Sequence, residues 1–395
     1  MPRIKALINP PLMRWARERA GYDVESAAEK LGRKWTELEA WEDGSTYPSL
    51  PQARKAARLY RRPLAVFYLP EVPKDFQPPF VDYRRLPHDV PAEFSPELRL
   101  LLMLAEERQE WAREEIVDEG RGPLEWVDSE TTRASAQALG RKIRSWLGVT
   151  MDRQRRPRQV SEALNNWVEW AEERGVFVFQ SGGPNLNVMP EEARGLALVD
   201  EYSPFIMINA KDSYSGRIFT LVHELVHLWL GASGVSNNVP IDTPQDASQK
   251  LEVYCNRATA EALIPARWLR KEWPSASGPD EAQRVERLAR SIHVSRESMA
   301  RRACDLSFIT RDKYLELRAQ YIEEWKNRPK PKGGLSPVLM VSRRASETLT
   351  RMVLTAYRGG EVTGRDVSTL LNVKLNHIGS VAETVGLPGV GLGST

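Results

Sequence analysis

Hydrophobic and polar positions along the first 70 residues predict a small helical bundle. From Pro11 to Pro70, apolar residues recur at helical spacing in short stretches separated by turn residues. None of these stretches is long enough to bury its apolar face alone. Asp23 is expected to cap a helix that Gly32 ends, and Lys34 to Trp41 is expected to form the next helix. Two short helices joined at a glycine indicate a helix-turn-helix arrangement.

Farther along, longer helical patterns between Ser95 and Arg174 give way to short β-prone runs. The runs Val176 to Phe179, Leu196 to Val199 and Phe205 to Ile208 predict a small three-stranded sheet. An edge strand of this sheet, next to the helix that follows, could take an extended peptide by strand addition. The whole pattern therefore predicts an α+β fold that is mostly helical.

Proline and glycine clusters mark the predicted domain boundaries. Residues 71–94 are expected to be a proline-rich linker, and Pro329 to Gly334 a flexible basic one. The predicted domains are a helix-turn-helix domain at 1–70, a body with accessory helices at 95–328 and a small helical C-terminal unit at 335–395.

The helix predicted around Leu221 to Trp229 contains the pattern H-E-x-x-H in an otherwise apolar segment. Residues i and i+4 share a helix face, so His223 and His227 can offer two imidazole nitrogens to one metal ion. Glu224 is turned about 100° around the axis, which suits a general base beside the metal. The alternative is that two histidines share this face by chance. It is disfavoured because the chain has five histidines in all, and a buried imidazole without a partner is costly.

A third metal ligand is expected downstream, because catalytic zinc usually has three protein ligands. The helix predicted from Leu251 to Pro265 offers Glu252 and Glu261. They are half a turn out of phase, so both cannot face one metal ion. Glu261 follows Arg257 by four residues, which explains it as a surface ion pair. We therefore assign Glu252 as the third ligand. Cys255 lies within about 60° of this face and either contacts the site or fills the core.

The amino-acid composition is typical of a soluble globular protein. At 395 residues, with 41% hydrophobic and 28% charged, the chain is expected to be a soluble protein of two or three domains. No apolar run approaches the roughly 20 residues of a membrane span, and Met1 to Pro10 lacks the apolar region of a signal peptide. Two cysteines fit a reducing compartment. We therefore expect a cytoplasmic protein that has no membrane partner.

The predicted N-terminal bundle has an excess of positively charged residues. The first 70 residues contain 13 Lys and Arg against 8 Asp and Glu, whereas the whole chain has a net charge of +3. Lys34, Trp35 and Thr36, at the start of the predicted recognition helix, are the candidate contacts to double-stranded DNA. Glu37 and Glu39 on the same helix argue against DNA binding, because carboxylates repel phosphates. The alternative is that the bundle docks another protein.

The N-terminal segment resembles the XRE, or lambda-repressor-like, family over about 60 residues. The residues that carry this resemblance are Trp15, Ala20-Gly21, Ala27-Ala28, Leu31-Gly32, Leu38, Trp41-Glu42, Gly44 and Pro48.

Residues from about Asp82 to Pro265 resemble the ImmA/IrrE metallopeptidase family, in the architecture where an XRE domain comes first. Val226 departs from the family pattern, which commonly has glycine there. The motifs that carry the resemblance are Asp82-Tyr83-Arg84, Ser95-Pro96-Glu97, Pro204 with Ile206 and Ile208-Asn209, Arg217 with Phe219-Thr220-Leu221, His223-Glu224-Leu225 with His227, and Glu252 with Cys255-Asn256, Ala258, Ala260-Glu261, Leu263 and Pro265.

This resemblance implies a zincin-like body that binds Zn²⁺, with Mn²⁺ as the other candidate, and cleaves an XRE-type repressor or antitoxin. The process controlled would be a stress response, mobile-element induction or a toxin–antitoxin module. The toxin encoded nearby and a second copy of the chain are further candidate partners. Glu224 would serve as general base, and Tyr214, Arg217 and Asn209 are candidate oxyanion or substrate contacts. The alternative function is a non-proteolytic DNA-binding antitoxin or regulator whose zincin-like body sequesters a partner protein.

Overall fold

The computed structural model describes residues 5–72, 94–183, 186–236, 247–276, 278, 280–326 and 339–389. These residues form two compact units. One contains the described residues of Met1–Phe80, Asp89–Ala105 and Gly183–Val188, and the other those of Glu106–Gly182 and Met189–Thr395. Most of the predicted linker at 71–94, the linker from Pro329 to Gly334, the motif Asp82-Tyr83-Arg84 and the end of the chain from residue 390 lie outside the described residues.

The first unit is a bundle of short helices. Asp23 caps the second helix by accepting a hydrogen bond from the Ser26 N–H, and Gly32 ends it in the left-handed conformation with φ +66°. Both residues act as predicted. The helices are α1 (Pro10–Arg19), α2 (Val24–Leu31), α3 (Trp35–Glu42) and α4 (Leu50–Leu59), followed by a 3₁₀-helix at Leu64–Tyr68.

A buried ion pair joins α1 to α3 in this unit. Arg17 Nε and Nη2 donate to the two carboxylate oxygens of Glu42, each at 2.8 Å, and Arg17 Nη1 donates to the Tyr22 carbonyl at 2.8 Å. Both charged side chains are buried. Such a two-pronged pair fixes the orientation of two helices because its geometry is planar.

The second unit contains a four-stranded sheet in the order β1-β3-β2-β4. Strand β1 is parallel to β3, and β2 is antiparallel to both β3 and β4. The strands are β1 (Phe177–Gln180), β2 (Gly195–Leu198), β3 (Phe205–Ile208) and β4 (Gly234–Ser236). The prediction of three strands is therefore wrong by one. The fourth strand is three residues long, which is too short to show a period-2 pattern.

Both faces of the sheet are covered, which explains why β1, β2 and β3 are buried at every position. Val178, Ala197 and Ile206 share a core cluster with residues of two helices, α8 (Val160–Glu172) and α9 (Tyr214–Trp229). On the opposite face, the Phe179 ring lies 5.5 Å from the guanidinium of Arg108. The helices of this unit are α6 (Ala136–Trp146), α7 (Met151–Arg155), α8 (Val160–Glu172), α9 (Tyr214–Trp229), α10 (Ala247–Leu263), α11 (Ala266–Glu272), α12 (Glu281–Ser291), α13 (Arg296–Asp305), α14 (Arg311–Lys326), α15 (Leu339–Ala345), α16 (Glu347–Gly359), α17 (Gly364–Leu370) and α18 (Ile378–Thr384).

The C-terminal helices α15 to α18 pack within the second unit. Helix α5 (Pro96–Asp118) carries Arg108, which is buried and donates to the carbonyls of Leu370 and Arg344 at 2.7 and 2.8 Å. These carbonyls lie in the last turns of α17 and α15, where a cation is favourable. Glu172 of α8 accepts hydrogen bonds from the N–H and the hydroxyl of Thr348 in α16.

A close contact between α6 and α10 positions the helix that carries Glu252. A Cβ added at Gly140 would lie 2.3 Å from the Ala258 carbonyl oxygen, so only glycine lets these helices approach this closely.

Within the described ranges, no helix combines the length and the apolar character that crossing a membrane requires. The fold is α+β and mostly helical, as predicted.

Candidate metal centre

Helix α9 carries two histidines into the interior of the second unit. The Ser213 side chain caps the helix by accepting from the Gly216 N–H, and every residue from Thr220 to Trp229 is buried. The apolar composition of this helix follows from its position between the sheet and α8, where it has little contact with solvent. His223 and His227 lie one turn apart within this buried segment.

Helix α10 brings Glu252 to the same point. Its carboxylate oxygens lie 3.2 Å from His223 Nε2 and 3.2 Å from His227 Nε2, and the two imidazole nitrogens are 3.1 Å apart. One ligand atom from each of the three residues forms a triangle whose corners lie within 4.8 Å of one another.

The size and chemistry of this triangle fit a divalent metal ion. Four ligands at the usual zinc distances of about 2.0–2.1 Å would stand roughly 3.3 Å from one another at the corners of a tetrahedron. Here the two imidazole nitrogens are 3.1 Å apart, and each lies 3.2 Å from a different oxygen of Glu252. Burial lowers the pKa of His223, which favours the neutral imidazole that binds metals. The pKa of His227 is raised instead, because Cys255 and Glu252 outweigh the effect of its burial. Burial alone would raise the pKa of Glu252, but the two imidazoles hold it well below its usual range.

Glu224 lies next to the triangle and is completely buried. Burial raises the pKa of its carboxyl group to about 8. Neither carboxylate oxygen has a hydrogen-bond partner at normal geometry among the described residues, although the nearby Ser236 side chain opposes the rise in its pKa. The backbone of β2 approaches it closely, because a Cβ added at Gly195 would lie 2.3 Å from Glu224 Oε1. Burying a carboxyl group is costly, and a role beside the metal site would account for the burial of Glu224.

Glu261 has a different role from the one predicted. It is buried, and its carboxylate pairs with Arg302 of α13 and accepts from the Ala266 N–H at 3.4 Å. The prediction of a surface pair with Arg257 is therefore wrong. The sequence-based choice between the two glutamates agrees with the geometry, since only Glu252 reaches the histidines.

The Cys255 thiol is fully buried and forms a hydrogen bond with His227. It thus contacts the site and fills the core at once, whereas the sequence left these two readings open.

The candidate oxyanion and substrate residues lie at the start of α9 and just before it. Arg217 donates from Nε to the Asp212 carbonyl at 2.9 Å and from Nη1 to the Gln180 side chain at 3.1 Å. Its guanidinium also lies 4.5 Å from the centre of the half-exposed Tyr214 ring. Helical rise places Arg217 about 9 Å along the axis from His223. These contacts do not favour a role for Arg217 or Tyr214 as oxyanion helper.

Asn209 is fully buried, and its amide connects the loops around it. Its Nδ2 donates to the Ala193 carbonyl at 2.7 Å, and its Oδ1 accepts from the Ser181 hydroxyl at 3.2 Å and the Lys211 N–H at 3.0 Å. Both ends of the amide are therefore engaged within the protein, and the role of Asn209 in contacting substrate stays a prediction.

In the first unit, Lys34, Trp35 and Thr36 are exposed at the start of α3. The Trp35 side chain is 49% exposed, which is unusual for an indole that contributes to a core. Glu37 lies 3.7 Å from Arg33 in an ion pair.

Gly195 and strand β4 are the site features that the sequence pattern missed. A glycine at the start of an apolar run can signal a close approach of the backbone, so Gly195 could have been found. Ser236 of β4 pairs with Gly195 in the sheet register. No hydrophobic periodicity in the sequence predicts this short strand.

Two imidazoles one turn apart, a carboxylate from a second helix and a neighbouring buried acid are typical of a metallopeptidase. Residues 171–303 match the family model Peptidase_M78, described as IrrE N-terminal-like domain. The match covers about a third of the chain, includes all four of these side chains and supports the resemblance to the ImmA/IrrE family. Helices α1 to α4 lie outside it. No curated protein matches the chain.

Proposed function

We propose that this protein is a zinc-dependent endopeptidase coupled to a DNA-binding domain, and that it cleaves an XRE-type repressor or antitoxin to control transcription. The triangle of His223, His227 and Glu252 beside the fully buried Glu224 carries the proposal. Sequestration of a partner would require neither the triangle nor a buried acid next to it.

In the proposed reaction, His223, His227 and Glu252 hold the metal ion. When bound, the ion lowers the pKa of a water molecule and polarises the peptide carbonyl. Glu224 accepts the proton of the attacking water and returns it to the leaving amine. Burial raises the pKa of this carboxyl group towards neutral pH, which favours both uptake and return of a proton.

Strand β4 supports binding of an extended peptide. It is the end strand of the described sheet and pairs with β2 on one side only. Its Ser236 faces Gly195 in the register, and Gly195 is the residue that approaches Glu224. A peptide added along an end strand gains main-chain hydrogen bonds without regard to its side chains.

Replacing Glu224 with Gln tests this mechanism. The full-length chain with zinc is incubated with the repressor-like products of adjacent genes, and mass spectrometry detects a cut. We expect Glu224→Gln to lower kcat by at least about 10²-fold because it cannot take up a proton, while zinc stoichiometry stays unchanged. Glu252→Gln should instead lower zinc content, since an amide is a poorer ligand than a carboxylate.

A wild-type chain that cuts none of these products, together with a Glu224→Gln variant that keeps full regulatory activity in cells, would contradict the peptidase. That result would favour the non-proteolytic regulator.

Exposed Lys34, Trp35 and Thr36 support the DNA-binding part of the proposal. Lys34→Glu should weaken binding of the full chain to the DNA upstream of its own gene in a mobility-shift assay, because it replaces an attraction to phosphate by a repulsion. An acid at the start of α3 is favourable for the helix, so loss of binding would not reflect unfolding. Lys271→Glu, an exposed change in the other unit, is the control. Equal binding by both variants would contradict DNA contact through α3.

A further inference from the structure

A cavity of about 170 Å³ lies beside the metal centre, between α9, α10 and α13. Phe219 forms part of its wall and also stacks on the His223 imidazole, with ring centres 6.2 Å apart. Thr220, another wall residue, precedes Glu224 by one helical turn. The cavity is therefore next to the turn of α9 that precedes His223 and Glu224, although neither the metal ligands nor Glu224 lines it.

We propose that this cavity binds a large apolar side chain of the peptide substrate, that of the residue directly after the cleaved bond. The inference rests on the proposed peptidase function. Glu224 returns a proton to the leaving amine, so that nitrogen must come within hydrogen-bond reach of it. The leaving amine belongs to the residue after the cut, and the cavity wall begins one turn from Glu224.

Size and lining favour a side chain such as Leu, Met or Phe. The volume is similar to that of an engineered protein cavity of roughly 150 Å³ that binds benzene. More of the cavity's lining surface is apolar than polar, as is typical of pockets that bind apolar groups. The apolar wall residues are Phe219, Val253, Ala260, Leu263 and Ile264.

Charge at the cavity disfavours lysine and arginine side chains. Three arginines and two acids line it. Both acids already have cationic partners: Asp305 accepts from Arg301 at 3.1 Å, and Glu297 accepts from Arg318 at 2.9 Å. A basic side chain would therefore meet an excess of positive charge and no unpaired carboxylate among the described lining residues.

The wall on the α13 side is fixed by buried contacts. Arg302 of α13 pairs with Glu261 of α10 and donates from Nε to the Ile264 carbonyl at 3.0 Å. Because these groups are buried, the cavity is pre-formed and selects among side chains by shape.

The first experiment measures which residue follows the cleaved bond. The full chain with zinc digests a proteome-derived peptide library, and mass spectrometry identifies the residue after each cut. We expect Leu, Met and Phe there, with Lys and Arg excluded. Ala260→Leu fills the cavity and should lower kcat/KM for Phe at this position by about tenfold or more, which is the usual effect of losing part of an apolar pocket. Smaller residues should then replace Phe after the cut.

The matched control is Ala247→Leu, the same change at an exposed position of the same helix. It should leave the cleavage profile unchanged. Ala260→Val, which adds less bulk, repeats the test if Ala260→Leu fails to fold.

A second experiment measures binding without cleavage. The zinc-loaded Glu224→Gln variant is titrated with N-acetyl-phenylalanine amide and N-acetyl-lysine amide, followed by NMR. We expect the phenylalanine probe alone to bind, and Ala260→Leu in the same background to abolish that binding.

The outcomes of these experiments distinguish failure of the cavity assignment from failure of the proposed peptidase function. Cleavage whose profile Ala260→Leu leaves unchanged overturns the cavity assignment while the peptidase stands. Binding of the phenylalanine probe that Ala260→Leu abolishes supports the cavity, even if no peptide is cut and the peptidase fails. Equal binding of both probes overturns the cavity assignment.

Discussion

At the scale of single residues, Glu252 and Glu261 show how two identical side chains on one helix take opposite roles. Glu252 faces the imidazoles of α9, whereas Glu261 faces Arg302 of α13. Their separation of nine residues turns them to opposite sides of α10. One acid is therefore available to a metal ion, and the other holds a neighbouring helix.

Gly195 acts on the proposed base through its lack of a side chain. A Cβ there would lie 2.3 Å from Glu224 Oε1 and 2.5 Å from Thr220 Cγ2. We expect Gly195→Ala to displace the Glu224 carboxylate and to lower kcat by about 10²-fold, the usual cost of misplacing a catalytic group by about 1 Å. KM and zinc stoichiometry should change little. Steady-state kinetics and metal analysis check this prediction.

Gly234→Ala on the adjacent strand β4 is the control, because a Cβ there meets no atom within 4 Å. The prediction is wrong if both variants lose the same activity. Thr220→Ser in the Gly195→Ala background removes the methyl group involved in the second clash. Full recovery of kcat in that double variant would assign the loss to Thr220 and not to Glu224.

At the scale of elements, α10 packs between α6 and α9 and positions Glu252 against the two histidines. The contact with α6 depends on Gly140, whose added Cβ would meet the backbone of Ala258 and not a flexible side chain. Helix α10 must therefore shift if Gly140 gains any side chain.

We expect Gly140→Ala to lower the free energy of unfolding by about 1–3 kcal/mol, the usual cost of overpacking, in spite of the better helix propensity of alanine. Tm should fall by several degrees, and zinc affinity should weaken because Glu252 moves with α10. Thermal denaturation and zinc titration test this.

Gly359→Ala, at the end of α16, is the matched helix control because its Cβ meets only the side chain of Glu361. An unchanged zinc affinity in Gly140→Ala would contradict the dependence of Glu252 on this contact.

At the scale of the whole molecule, the C-terminal helices are part of the unit that carries the metal centre. Arg108 joins them to α5 through two carbonyls, and Glu172 joins α16 to α8. Burial raises the pKa of Glu172, so its hydrogen bonds from Thr348 offset part of the cost of burying a carboxylate.

Arg108→Met should loosen these helices, since each buried carbonyl left unpaired costs about 1–3 kcal/mol. We expect Tm to fall and limited proteolysis to release fragments that end within α15 to α18. Arg358→Met, an exposed change in α16, is the control and should leave both measurements unchanged. Protease resistance equal to the wild-type chain would show that Arg108 does not anchor these helices.

The sequence by itself determined the features that depend on local spacing. Asp23 and Gly32 bound a helix because capping and left-handed conformations are local. His223, Glu224 and His227 share a helix because their spacing has the helical period. Helical phase also showed that Glu252 and Glu261 cannot both face one metal ion.

Only the tertiary structure decided what depends on residues far apart in the chain. It added β4 as a fourth strand, engaged the Asn209 amide with Ala193 and Ser181, and paired Glu261 with Arg302 across 41 residues. It also formed the cavity from helices that are distant in sequence. The physical reason is that periodicity reports which face of an element is apolar, whereas packing decides which other element covers that face.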